Sequence, residues 1–150
     1  MRIYSKYLSM LTASFFSISL AGAAPTFEQF PAKPEPVPAT GHLKLKTRQD
    51  REYRSALRQA ASASPNFAGH YVVANIGCGA SCLLTAAIDT RTGRVTWLPD
   101  TICCWNESVS APVAYRLDSE LMILQGRRNE QDEGIWYWRL ENGRFRLLRP

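Results

Sequence analysis

The stretch that most constrains the fold is a pair of extended apolar runs separated by a glycine-flanked pair of cysteines. The first run covers residues 71–76, the sequence Gly-Cys-Gly-Ala-Ser-Cys follows at 77–82, and the second run covers 83–88. Short apolar runs bounded by turn residues are typical of buried strands, and a connection this short makes the two strands antiparallel. The sequence therefore predicts a β-hairpin around which the rest of the chain is organised.

Further strands are predicted along the C-terminal half of the chain and in one short segment before it. The apolar patterns predict strands at 42–46 (an edge strand), 94–98, 113–117, 120–125, 135–140 and 144–148. The intervening segments are a turn at 89–93, a long irregular loop at 99–112 and a polar, charged loop at 127–134.

One helix is predicted before the first hairpin, over about residues 48–62. Tyr53, Leu57 and either Ala60 or Ala61 fall on one helical face, and Thr47 and Asp50 have the spacing of a capping box. The predicted fold class is therefore mainly β: an antiparallel β meander or a small two-sheet sandwich with one N-terminal helix.

The last hairpin allows a prediction of its register. If Asn142-Gly143 is a two-residue type I′ loop, Leu140 faces Phe145 and Trp138 faces Leu147. The predicted buried face consists of Trp136, Trp138, Leu140, Phe145 and Leu147. On the other face Arg139 lies opposite Arg146, and these two guanidinium groups either splay into water or hold an anion or an acidic partner.

The N-terminus predicts export. Arg2 and Lys6 precede an uncharged apolar stretch that ends in Ala21-Gly22-Ala23, the pattern of a signal-peptidase site. We expect a signal peptide at 1–23, a Pro-rich linker at 24–40 and a single β-rich, disulfide-containing domain at 41–150. The alternatives are an uncleaved N-terminal anchor and a Pro-rich stretch that wraps the domain surface. No transmembrane segment is expected in the mature chain, because the apolar stretch is shorter than a spanning helix.

The four cysteines leave more than one arrangement open. Cys78 and Cys82 flank a three-residue loop, a spacing that suits a local disulfide. Cys103 and Cys104 could bridge each other, although a disulfide between adjacent residues would strain its peptide unit. Alternatively, one of them could pair with a cysteine of the first loop. The four thiolates with His42 or His70 would be an alternative metal site, but export favours disulfides, and neither a metal nor another cofactor is expected.

Candidate functional residues are few. His70, Ser81, Asp89 and Trp105 would be the elements of an acid–base or nucleophilic site, but no catalytic motif surrounds them. Trp97, Trp136 and Trp138 are predicted to fill the core, whereas Trp105 is predicted to be an exposed anchor. The predicted binding residues are His70, Ser81, Trp105, Asn106, Arg139 and Arg146.

Two segments of the chain carry a resemblance. At 67–71 (FAGHY) and 77–82 (GCGASC) the chain resembles a group of small, exported, uncharacterised bacterial proteins that look similar in the order of an FAG-aromatic strand, a GCG-x-x-C loop and a D-x-x-T-G turn. The resemblance covers about residues 66–98 and, less clearly, the final hairpin. It implies no catalytic residue, because no activity is established for that group, and the Cys103-Cys104 pair is not part of its pattern.

Composition and motifs together favour a binding function. The formal net charge is +5, which favours anionic surfaces, but no nucleic-acid partner is expected. The leading hypothesis is a non-enzymatic periplasmic or secreted binding protein, of the inhibitor or immunity type or an envelope accessory factor, whose partner is another protein of the periplasm or envelope. The alternatives are an enzyme acting on cell-envelope polymers and a polyanion- or glycan-binding module that uses Arg127, Arg128, Arg139 and Arg146.

Overall fold

The computed structural model describes residues 23–36 and 42–148. The signal peptide expected at 1–23 lies outside these residues except for Ala23, and the expected linker at 24–40 is described as far as Pro36. In the described part of the chain, no helix is long and apolar enough to span a membrane.

Within the described residues, eight strands form one antiparallel sheet, which confirms the mainly β prediction and its meander alternative. In chain order they are β1 (Tyr71–Gly79), β2 (Cys82–Asp89), β3 (Val95–Trp97), β4 (Ile102–Cys103), β5 (Val113–Tyr115), β6 (Leu121–Arg128), β7 (Asp132–Glu141) and β8 (Arg144–Leu148). The strand order is β1-β2-β4-β6-β7-β8, with β3 also paired to β2 and β5 also paired to β6.

The sheet folds over on itself because β2 and β6 each pair with two short strands at different points along their length. The strand β2 pairs with β4 at its first two residues and with β3 further along, and β6 pairs with β5 near its start and with β4 at its last two residues. Hence β4 joins the two halves of the sheet only at one end. We call this the cysteine end, defined by the Cys78–Cys82 turn, β4 and the β6–β7 turn. We call the opposite end, with the start of β1 and the β2–β3 and β7–β8 turns, the pocket end.

Two hydrophobic cores lie on the two faces of the β1–β2 hairpin. The inner core, between the halves of the sheet, contains Phe67, Ala68, Val73, Ala87, Leu98, Ile102, Val113, Met122, Leu124, Trp138 and Leu140. The outer core, under the helices, contains Leu57, Ala61, Val72, Ala74, Ala86 and Ile88. Because β2 is covered on both faces, its sequence is a continuous run of small and apolar residues rather than an alternating one.

The predicted helix is present as two short helices, α1 (Arg48–Glu52) and α2 (Arg54–Ala61), separated at Tyr53. The capping box is confirmed: the backbone N–H of Asp50 donates to Thr47 Oγ1 (3.0 Å), and the backbone N–H of Thr47 donates to Asp50 Oδ2 (2.8 Å). The second carboxylate oxygen of Asp50 accepts a hydrogen bond from Trp97 Nε1 (2.8 Å), which fastens α1 to β3.

Three local predictions were wrong. The edge strand at 42–46 is reduced to one parallel bridge between Lys44 and Arg94. The irregular loop at 99–112 contains β4, whose two residues are too short a signal for a periodic pattern. The polar loop at 127–134 is strand except for its turn at 129–131, because Arg127 faces Glu133 across the β6–β7 ladder and opposite charges stabilise such pairs.

The last hairpin has the predicted register and turn. Leu140 pairs with Phe145 and Trp138 with Leu147, and Asn142 and Gly143 have φ values of 51° and 69°, as a type I′ loop requires. The prediction that Leu147 is buried was wrong, because this residue is 37% exposed. Phe145, on the same face of β8, packs against the inner core, whereas Leu147 lies near the C-terminal end of the strand and outside that core.

The Pro-rich segment at 23–36 lies against the pocket-end half of the domain. The backbone N–H of Ala32 donates to the carbonyl of Asp118 (2.8 Å), and that of Glu35 donates to the carbonyl of Gly69 (3.0 Å). The buried hydroxyl of Ser119 is within hydrogen-bond distance of the carbonyl of Phe27 (2.9 Å) at the start of a 3₁₀ turn. These contacts place Glu35 beside Arg91, at the rim of a polar pocket at this end of the sheet.

Candidate functional site

The candidate functional site is a polar pocket of about 360 Å³ at the pocket end of the sheet. It lies where the start of β1, the end of β2, the turn after β2, the start of β6 and the β7–β8 turn come together. We call it the His70 pocket, and its lining residues are Ala68, His70, Tyr71, Asp89, Arg91, Arg94, Glu120, Leu140, Asn142 and Gly143.

A tight turn positions His70 at the start of β1. Phe67 and Tyr71 exchange backbone hydrogen bonds of 2.8 and 3.0 Å across this turn. The turn residues Ala68 and Gly69 have φ values of 43° and 82°. Glycine reaches this left-handed region without a steric cost, and a Cβ at Gly69 would collide with the backbone of Lys33. The turn therefore presents the imidazole while the N-terminal segment packs directly behind it.

A second tight turn positions Asp89 and the two arginines of the pocket. The Asp89 carboxylate accepts hydrogen bonds from the backbone N–H of Arg91 (2.9 Å) and from the hydroxyl of Thr92 (2.7 Å). Gly93 closes the predicted turn with φ of 72°, and its N–H donates to the carbonyl of Asp89 (2.8 Å). Asp89 is thus held by its own turn, which fixes where Arg91 and Arg94 leave the backbone.

His70, Tyr71 and Asp89 form the interior of the pocket. His70 Nε2 lies 3.7 Å from Asp89 Oδ1, and the rings of His70 and Tyr71 are 4.4 Å apart. Burial, followed by the positive charge of Arg91, lowers the pKa of His70. Burial, followed by the negative charge of Asp89, raises the pKa of Tyr71. At neutral pH the pocket therefore presents a neutral imidazole and a protonated phenol, each of which has one hydrogen-bond donor.

The charged side chains of the pocket differ in whether they have a partner. Arg91 forms an ion pair with Glu35 of the N-terminal segment. Glu120 accepts a hydrogen bond from Arg139 Nε (2.8 Å). Arg94 is exposed and has no carboxylate partner among the described residues. The pocket therefore contains one positive charge that no carboxylate of the described residues neutralises.

Three features of the lining bear on the chemistry of the pocket. None of the lining residues is a serine, threonine or cysteine, so the lining offers no aliphatic hydroxyl or thiol beside His70. The two lining carboxylates are held by a turn and by an arginine, respectively. Among the described residues, no group of three or more His, Cys, Asp or Glu side chains could hold a metal ion.

The structure brings together only part of the set proposed from sequence for acid–base chemistry. His70 and Asp89 meet in the pocket, but Ser81 and Trp105 lie at the cysteine end. Ser81 is exposed at the tip of the β1–β2 turn with φ of 50°. Trp105 is half-buried rather than an exposed anchor, because it packs over Gly126, where a Cβ would lie 3.2 Å from Trp105 Cβ.

Asn106, proposed as a binding residue, is exposed near the cysteine end. Its side-chain oxygen accepts a hydrogen bond from the backbone N–H of Ser108 (2.9 Å), so it stabilises its own loop. It also lines a groove of about 150 Å³ beside Ile135, an apolar residue that is 50% exposed.

Three of the four arginines proposed for anion binding are engaged with carboxylates, whereas the fourth, Arg127, is exposed and is the register partner of Glu133. Arg139 contacts Glu141 (3.2 Å), and Arg146 contacts the other oxygen of the same carboxylate (3.3 Å), so Glu141 offsets the repulsion between them. Arg128 lies over the ring of Trp136 at 4.1 Å and 3.6 Å from Asp100. The structure therefore presents these three cations as parts of internal pairs.

The four cysteines all lie at the cysteine end. The predicted Cys78–Cys82 disulfide is present, with a Cα–Cα distance of 5.1 Å. The sequence left open whether Cys103 and Cys104 bridge each other or whether one pairs with the first loop; in this structure both are free thiols, Cys103 buried and Cys104 exposed. The short loop satisfies Cys78 and Cys82 locally, and the ~3.8 Å between adjacent Cα atoms is below the usual disulfide range.

Sequence reasoning missed Tyr71, Arg91, Arg94 and the Asn142-Gly143 turn as pocket residues. The sequence did contain a signal that could have identified Tyr71. The predicted pairing of the first two strands places the start of β1 beside the end of β2, and the observed register pairs Tyr71 with Asp89. The contribution of the β7–β8 turn could not be found in this way, because it depends on how the sheet folds over.

Comparisons of the chain with protein-family models, with curated proteins and with solved structures found no match.

Proposed function

We propose that this chain is a non-enzymatic, exported binding protein that recognises a carboxylate of a partner protein in the His70 pocket. It acts in the periplasm or outside the cell, as an inhibitor- or immunity-type protein or as an envelope accessory factor. The observation that carries the proposal is Arg94, an exposed guanidinium that lines a polar pocket without a carboxylate partner among the described residues.

The groups around Arg94 fit a carboxylate better than they fit other ligands. A guanidinium donates two parallel hydrogen bonds to a carboxylate, and such charge-assisted pairs are stronger than neutral ones. The phenol of Tyr71 and the imidazole of His70 supply neutral donors beside it. Because Asp89 and Glu120 carry negative charge in the same pocket, a single carboxylate is accommodated more easily than a phosphate or a run of anionic groups.

The two alternatives have weaker support. A polyanion site needs several uncompensated cations in a row, whereas three of the four arginines proposed for it, Arg128, Arg139 and Arg146, pair with carboxylates of the same chain. An enzyme acting on envelope polymers is favoured only by the 3.7 Å approach of His70 to Asp89, and the proposed partners Ser81 and Trp105 lie at the other end of the molecule.

The export part of the proposal rests on two features. The N-terminal leader has the composition of a signal peptide, and the Cys78–Cys82 disulfide belongs to an oxidising compartment. We expect the mature protein to begin at Ala24 and to be recovered from periplasmic or culture fractions. Mass spectrometry that finds only the full-length chain, bound to membrane, would contradict export.

Binding is tested with three short peptides of otherwise identical sequence. One has a free C-terminal carboxylate, one has a single glutamate and an amidated C-terminus, and one is amidated and has no carboxylate. We expect the wild type to bind at least one of the first two and not the third, and the difference between those two identifies the source of the carboxylate. Binding should weaken with added salt, because the pocket is open to solvent.

Substitution of Arg94 provides the decisive comparison. Arg94→Gln should lower the affinity about tenfold or more, since a charge-assisted hydrogen bond to a carboxylate contributes about 1.5–3 kcal/mol. Arg58→Gln, at an exposed arginine of α2 outside the pocket, is the matched control and should leave the affinity unchanged. Equal affinity for all three peptides, or equal loss in both variants, would refute the proposal.

A further inference from the structure

The cysteine end places a buried free thiol directly opposite one half of a disulfide. In the β2–β4 pairing, Cys82 is the register partner of Cys103, and Leu83 is the partner of Ile102. Residues directly opposite in an antiparallel pair point to the same face of the sheet. Since Leu83 and Ile102 belong to or pack against the inner core, Cys82 and Cys103 share the outer face.

Backbone geometry distinguishes the possible partners of Cys103. Directly opposite residues in an antiparallel pair have Cα atoms about 4.5 or 5.5 Å apart, which lies within the usual disulfide range of about 4.4–6.8 Å. The adjacent Cys104 offers only about 3.8 Å. A hydrogen bond from the backbone N–H of Cys104 to the carbonyl of Ser81 (3.0 Å) holds the end of β4 against the hairpin tip. Cys82 is therefore the favoured alternative partner of Cys103.

We propose that the cysteine end is a thiol–disulfide exchange site in which Cys82 is the shared sulfur, bonded either to Cys78 or to Cys103. In the exchange, the thiolate of Cys103 attacks Cys82 Sγ, the Cys82–Cys103 bond forms, and the Cys78–Cys82 bond breaks. Cys78 leaves as a thiolate and takes up a proton equivalent to the one that Cys103 lost to solvent. The number of disulfides is unchanged, so no external oxidant or reductant is needed.

The exchange changes which sulfur is available to other molecules. Cys103 is only 1% exposed, whereas Cys78 is exposed at the hairpin tip. The exchange therefore replaces the buried thiol of Cys103 with the exposed thiol of Cys78, in addition to the thiol of Cys104 that is already exposed. The substrate class is a disulfide, of low molecular weight or on a protein surface: Cys78 attacks one of its sulfurs, forms a mixed disulfide and releases the other as a thiolate. The new Cys82–Cys103 bond also joins β2 to β4 covalently.

The surroundings of Cys103 make the exchange slow at neutral pH. A hydrogen bond with the Cys104 side chain, followed by burial and the negative charge of Glu130, raises the pKa of Cys103 to about 11, although the backbone N–H of Glu130 acts in the opposite direction. Arg127 is the register partner of Cys103 on β6. Because the thiolate is the nucleophile, we expect the exchange rate to rise about tenfold per pH unit between pH 7 and pH 9.

The test uses the Cys104→Ser chain, which retains three cysteines. The native protein is incubated with excess N-ethylmaleimide, quenched in acid at intervals, and mapped as non-reduced peptides. We expect alkylated Cys78 together with a Cys82–Cys103 linked peptide, both increasing with time and with pH. In the control Cys103→Ser/Cys104→Ser, or Cys103→Ala/Cys104→Ser if the former does not fold, Cys78 should stay unlabelled. When oxidised glutathione replaces the maleimide, glutathione should form a mixed disulfide with Cys78 in the Cys104→Ser chain but not in the control chain that lacks Cys103.

Three results would overturn the proposal. They are alkylation of Cys103 with the Cys78–Cys82 bond intact, absence of any label while the native fold persists, and labelling of Cys78 in the control chain. The folded state in each sample is checked by near-ultraviolet circular dichroism.

Discussion

The two ends of the sheet are closed in different ways. At the pocket end, Glu35, His70, Asp89 and Gly143 come from four separate parts of the chain and are held by hydrogen bonds, tight turns and an ion pair. At the cysteine end, the first hairpin is closed by a covalent bond between residues four positions apart. The difference teaches that the pocket depends on the whole fold, whereas the hairpin tip is shaped by its local sequence.

The largest expected effect is at a glycine of the pocket end. Gly93 has φ of 72°, and a Cβ there would overlap the carbonyl of His42. Gly93→Ala should therefore lower the free energy of unfolding by about 2–4 kcal/mol, because both backbone strain and a steric clash arise. Urea denaturation measures this directly.

The matched control is a glycine of the cysteine end. A Cβ at Gly77 meets nothing within 4 Å, so Gly77→Ala should change the free energy of unfolding by no more than about 0.5 kcal/mol. Equal losses in the two variants would mean that the ends are not differently constrained.

The second effect concerns the disulfide. The double substitution Cys78→Ser/Cys82→Ser should lower the free energy of unfolding by about 2 kcal/mol without abolishing the fold, because the bond closes only a small loop. Carboxylate binding in the His70 pocket should be unchanged, since the pocket lies at the other end. If this variant lost binding while remaining folded, the two ends would be coupled, and the cysteine end would not be a purely local structure.

A smaller effect is expected from the titration of His70. Because its pKa is lowered in the folded protein, by burial first and Arg91 second, the unfolded state binds the proton more readily. The corresponding stability is complete above the unfolded pKa of about 6.5 and is lost as pH falls through the folded pKa. His70→Gln should therefore flatten the decline of stability between pH 7 and pH 5.

His42→Gln is the control for that measurement, because His42 is the only other histidine of the sequence. Thermal denaturation over the same pH range compares the two variants with the wild type. An identical slope in wild type and His70→Gln would show that His70 does not titrate differently in the two states.

Most of the fold could be predicted because its signals are local. The apolar run of β1, the turn at Gly93 and the Asn142-Gly143 loop each specify their own backbone conformation. What could not be predicted depends on distant partners: the two residues of β4 are strand only because β2 and β6 flank them. The charged ends of β6 and β7 are strand because they pair with each other.

The candidate site was less accessible to prediction than the fold. His70 and Asp89 could be placed together by the register of one hairpin. Glu35 and Asn142 could not, because their approach depends on the docking of the N-terminal segment and on the folding over of the sheet. Arg94 has no sequence signal that distinguishes it from the other arginines, since what singles it out is its position in the lining of the pocket, which depends on the folded structure.

The central claim is that the pocket end, and not the cysteine end, binds a carboxylate. The most direct measurement is an amide ¹H–¹⁵N NMR titration with the carboxylate-bearing peptide that binds and with its fully amidated counterpart. The account predicts shifts at residues 68–71, 89–94 and 142–143 with the first peptide only, and none at 78–82 or 103–104. Shifts centred on the cysteine end, or the same shifts with both peptides, would contradict it.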